Sequence, residues 1–64
     1  MTQKELLYVE DAIGHEQNII GILNTSISMM EDEDLISILE QEVKNHTSLK
    51  EKLIKQLEVL SNEW

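Results

Sequence analysis

Three side chains in this sequence combine the types and the spacing from which chemistry could be built. Glu42 and His46 stand four residues apart in Glu-Val-Lys-Asn-His, so on a helix they share one face. Glu16, from the other half of the chain, interrupts an otherwise apolar series. Carboxylate oxygens and imidazole nitrogens are ligands for iron, manganese and zinc, and ligand type alone does not choose among these metals. The same groups could instead pair with one another as a polar layer inside an apolar seam, His46 against Glu16, setting register and oligomeric state. The polar layer is the first reading, with no cofactor; a metal site at Glu16, Glu42 and His46 is the second. His15 turns about 100° away from Glu16 on a helix and is a weaker ligand candidate. Glu10, Asp11 and Glu40 read as solvated residues. No cysteine, no glycine-rich phosphate loop and no serine set against a histidine supports nucleophilic catalysis. A non-enzymatic chain is expected, with oxidoreductase-type chemistry only where a di-metal centre forms.

Two apolar stripes must position these groups. Leu6, Val9, Ile13, Glu16, Ile20, Leu23, Ile27 and Met30 recur at steps of three and four, a seam of coiled-coil type broken only by Glu16. The spacing predicts a helix over about 2–30, roughly 43 Å long at 1.5 Å per residue. A second stripe of Leu35, Leu39, Glu42, His46, Leu49 and Leu53, filled out by Ile38, Val43, Ile54 and Leu57, predicts a helix over about 33–60. Continued in phase, the first seam would select Asp34, Ser37, Gln41, Lys44, Ser48 and Glu51, all polar. The stripe has therefore jumped to another face, and one straight rod gives way to a turn at about 31–33.

Local signals agree with that division. Thr2 followed by Glu5 is a capping-box pattern, and Asp32 is a natural N-cap with Glu33 and Asp34 in the first turn, where carboxylates meet the positive end of the helix dipole. Lys50, Lys52 and Lys55 suit the negative end of the second helix, and Glu51 with Lys55 makes an i,i+4 pair. Gly14 and Gly21, seven apart, read either as a place for a second helix to approach closely or as residues tolerated in a helix held by packing. Tyr8 and Trp64 fall at one pole of a hairpin and read as end or interface packing.

Folded about the turn, residues whose numbers add up to roughly 62 share a level. Ile27 then meets Leu35, Leu23 meets Leu39, Ile13 meets Leu49 and Val9 meets Leu53. The same rule sets Glu16 opposite His46 and Ile20 opposite Glu42, so the polar breaks of the two seams coincide. A register taken from leucines and isoleucines was not chosen to produce that match. The fold class is all-α, a single antiparallel helical hairpin over 1–64. One side of its seam stays open, and pairing two hairpins into a four-helix bundle would cover it. A two-fold axis at mid-length would gather two copies each of Glu16, Glu42 and His46.

Composition narrows the partners. Sixty-four residues bury little surface, and without cysteine no disulfide can compensate, which leaves self-association or a metal. A net charge of −8 repels phosphate backbones and anionic lipid, so neither nucleic acid nor membrane is an expected partner. No run approaches eighteen apolar residues, and Met1 to Leu7 lacks the pattern of a signal peptide, so an intracellular location is expected.

The inventory of two carboxylates and an imidazole per hairpin resembles that of the di-iron and di-manganese bundles of the ferritin-like group, except that Glu42 and His46 are four apart where Glu-x-x-His is usual. The runs KELLYVEDAIGHEQNII and DLISILEQEVKNHTSLKEKLIKQL, with Glu10-Asp11, His15-Glu16, Asp32 and His46 as landmarks, resemble the small spore coat proteins of the coat protein F type, relatives of the ferritin-like fold. The resemblance spans about Lys4 to Leu57. It implies a spore-coat or spore-associated helical protein, non-enzymatic, working through self-assembly (a homodimer or larger) and with other spore coat proteins as neighbours. A third reading is an acidic hairpin that docks on a signalling protein.

Overall fold

The computed structural model describes residues 1–61, and among them it contains two helices, α1 (Gln3–Met29) and α2 (Glu33–Ser61), packed as an antiparallel hairpin. Trp64 lies outside the described residues. α1 begins where the sequence signals it. The Thr2 hydroxyl accepts the Glu5 amide at 3.1 Å, and a Glu5 carboxylate oxygen accepts the Thr2 amide at 2.9 Å. That reciprocal box satisfies two amides that the first turn leaves without helical partners. It also holds the Glu5 carboxyl below the usual glutamate range, chiefly through the hydrogen bond from the Thr2 amide.

The reversal needs no glycine. α1 stops at Met30, whose backbone is extended (φ −93°, ψ 151°) while its amide still reaches the Ile27 carbonyl at 3.2 Å. Among the described residues no backbone lies in the left-handed region, so ordinary L residues build the turn without strain. Asp32 restarts the chain: its carboxylate accepts the Leu35 amide at 3.0 Å and its carbonyl the Ile36 amide at 3.0 Å. The turn is thus residues 30–32, within a residue of the expected position.

The hairpin is a slab 49 × 15 × 11 Å at the Cα level, one helix thick. Among the described residues none is fully buried; the seam is a double row of half-covered side chains. On α1 those are the expected Leu6, Val9, Ile13, Glu16, Ile20, Leu23 and Ile27, joined by Ala12, Ile19 and Ser26 on one flank, while Met30, expected to end the seam, is the exposed C-cap. On α2 the expected stripe needs correction. Leu35 and Leu49 are 49% and 44% exposed, and Ile38 is exposed as well. Ile36 and Lys50 occupy the seam in their place, alternating with Leu39, Val43, His46, Leu53 and Leu57. The levels match the expectation, but with Leu39, His46 and Leu53 kept in the seam and their neighbours exchanged, the centre of the α2 stripe is turned by about half of one residue's 100°. Lys50 lies level with small Ala12, where its aliphatic stem can cover apolar surface while the ammonium stays wet.

Gly14 and Gly21 are not contact points within the hairpin, since a Cβ built on either meets nothing within 4 Å. The tolerance reading therefore holds for the single chain. Glu51 and Lys55 are not an ion pair either; among the described residues both ion pairs belong to His46. No helix among those residues is long and apolar enough to cross a membrane.

Candidate functional site

Glu16 sits at the middle of α1 and His46 at the middle of α2, each at a seam position. Antiparallel packing joins them: His46 Nδ1 lies 2.5 Å from Glu16 Oε2, across thirty residues of sequence. The Glu16 side chain is 13% exposed and the His46 side chain 27%, so the bond is largely shielded from competing water. A neutral imidazole satisfies this contact by donating from Nδ1, and the doubly protonated ring does so as an ion pair. Either way a carboxylate in an apolar seam finds the donor it needs to remain there.

The other ring nitrogen faces Glu42. His46 Nε2 stands 3.6 Å from Glu42 Oε2, one helical turn back, and Glu42 is 47% exposed. This is long for a hydrogen bond. Glu42 is steadied instead from its own helix, where the Asn45 side-chain amide donates to Oε1 at 3.4 Å and the Gln41 amide donates to the Asn45 carbonyl oxygen at 3.0 Å. Asn45, three residues from Glu42 and four from Gln41, is a member of this network that the seam periodicity does not single out; the spacing is its signal in the sequence.

The three expected residues are therefore brought together, but around the imidazole and not around a common empty point. Among the described residues no three His, Asp or Glu side chains are arranged to hold a metal ion. Within one hairpin the arrangement is a carboxylate–imidazole–carboxylate row in which the Glu16–His46 contact joins the two helices. His15 and Glu40 are exposed, as are Glu10 and Asp11. A shallow open groove beside Gly21, lined by Gln17, Asn18 and Thr25, carries no titratable side chain. Compared with protein-family models, curated proteins and solved structures, the chain matches none.

Proposed function

We propose that this chain is a non-enzymatic assembly protein whose hairpins pair into four-helix bundles, serving as a structural block of the spore-coat type. One observation carries the reading: the hairpin has no fully buried residue among those described, while its accessible surface is 4987 Å². A compact chain of 7.4 kDa would expose about 4,200 Å². The excess, roughly 800 Å², goes with the elongated shape and is comparable in size with what one partner contributes to a standard interface. Glu16 and His46 act in this reading as a register pin, since a polar pair in an apolar seam penalises every shifted alignment that separates its members. The resemblance of the sequence to small coat proteins supports the choice of setting and of coat proteins as neighbours. Sedimentation equilibrium at micromolar concentration tests the assembly: a dimer or larger species is expected, and a stable monomer would overturn it.

One distance favours a second reading, a metal-binding bundle. Two ligand atoms about 2.0–2.1 Å from one tetrahedral ion stand roughly 3.4 Å apart, close to the 3.6 Å between His46 Nε2 and Glu42 Oε2. Glu16 would then orient the ring through Nδ1, and a second hairpin would supply the remaining ligands. Elemental analysis of freshly purified protein, with melting in the presence and absence of chelator, separates the readings. Stoichiometric iron, manganese or zinc and a chelator-sensitive melt favour the second; no metal and an unchanged melt leave the first.

A further inference from the structure

Most of the exposed apolar side chains gather on one side of the slab; the exceptions are Leu7, on the other side, and Met30 at the turn. Both helices are right-handed and run in opposite directions, so residues immediately before a seam position fall on one broad face, and those immediately after it on the other. The first set holds Tyr8, Ile22 and Met29 from α1. From α2 it holds Leu35, Ile38, Leu49 and Val59, so that this face carries seven of the nine large apolar side chains left exposed. The opposite face presents Glu10, Gln17 and Asn24 from α1 and Glu40, Glu51 and Glu58 from α2.

The geometry points to the apolar face as the surface on which a second copy of this chain docks, antiparallel, about a two-fold axis at right angles to the helices at the level of Thr47 and His15. This rests on the assembly reading above and names the surface and the register it requires. Three observations select a second copy as the occupant. The area left exposed in excess is comparable in size with one side of a standard interface. Within a chain of net charge −8, this face carries two carboxylates, Glu5 and Glu42, and one ammonium, Lys52, so two such faces meet less repulsion than the acidic side would. The pattern is also self-complementary in its charges and its outermost apolar side chains, although Ile38 and Leu49 come level with Gln56 and Asn45. Glu42 and Lys52 lie five residues to either side of Thr47, and Leu35 and Val59 lie twelve to either side. The level of Thr47 on α1 is His15, with the register set by the Glu16–His46 contact, and Tyr8 and Ile22 lie seven residues to either side of it.

The two-fold therefore places Glu42 of each copy level with Lys52 of the other, Leu35 with Val59, and Tyr8 with Ile22. Such a match is what an isologous interface demands. It also covers Glu42 and the open edge of His46, so the polar row of each hairpin is closed by the other copy.

The test is a set of variants read by sedimentation equilibrium, with circular dichroism to verify helicity. Ile22→Lys and Leu49→Lys, on the proposed face, are expected to weaken dimerisation by about a hundredfold; Gln17→Lys and Glu40→Gln, on the other face, leave it within about twofold. Should either apolar-to-lysine variant lose helicity, charge exchange decides. Glu42→Lys and Lys52→Glu each weaken the dimer by about tenfold, and the double exchange restores it. A wild-type monomer overturns the assembly reading and this inference with it, leaving the face to a different protein. A wild-type dimer that tolerates the face variants, or whose charge exchange fails to restore affinity, overturns the surface and register while assembly stands.

Discussion

Removing the Glu16–His46 contact gives the sharpest measure of what the central polar row contributes. The perturbation is a double-mutant cycle of Glu16→Ala, His46→Ala and the pair together. Exposed ion pairs couple by about 0–1 kcal/mol and breaking fully buried ones costs about 3–5. With 13% and 27% of the two side chains exposed, this pair sits between those limits. A coupling of about 2 kcal/mol follows, within the range of about 1.5–3 for hydrogen bonds to charged groups. In a domain of this size that corresponds to roughly 8–16 °C in Tm. Urea denaturation followed by circular dichroism, at one protein concentration and with oligomeric state checked for each variant, measures it. Replacing both residues by leucine should return stability to within about 1 kcal/mol of the parent or above it, because apolar packing offsets what the pair supplied. That variant should also sediment as a mixture, having lost the group that excludes shifted alignments. A coupling below about 0.5 kcal/mol, with the alanine variants merely additive, would refute the view that this contact pins the hairpin.

Three further outcomes are expected. Asp32→Ala should cost about 1 kcal/mol and speed hydrogen exchange at the Leu35 amide, whereas Asp32→Asn keeps the cap and nearly all the stability. Gly21→Ala should stabilise by about 0.5–1 kcal/mol in thermal melts, since the new methyl meets open space and alanine is the better helix former. Glu5 has a lowered folded-state pKa, so its contribution is full above the ordinary glutamate range and lost as pH falls through the folded value. Protection of the Thr2 and Glu5 amides, corrected for the intrinsic pH dependence of exchange, should therefore fall on acidification, and Glu5→Gln should remove that loss.

The caps at Thr2 and Asp32, a break near residue 31, the all-helical hairpin and the meeting of Glu16 with His46 were legible from residue order alone. Each follows from local hydrogen-bonding capacity or from a period of 3.5 to 3.6 residues, and both are written along one chain. The tertiary structure decided which part of the second stripe meets α1. Leucine and isoleucine occupy neighbouring positions at 35 and 36, and periodicity cannot choose between them when the apolar stripe is wider than one helix contact. Packing turned Ile36 and Lys50 inward and left Leu35 and Leu49 facing out. That roll collected the unsatisfied apolar surface on a single broad face and set Glu42 among it. Sequence determined the two helices and their register; only their mutual rotation determined which surface remains to be covered.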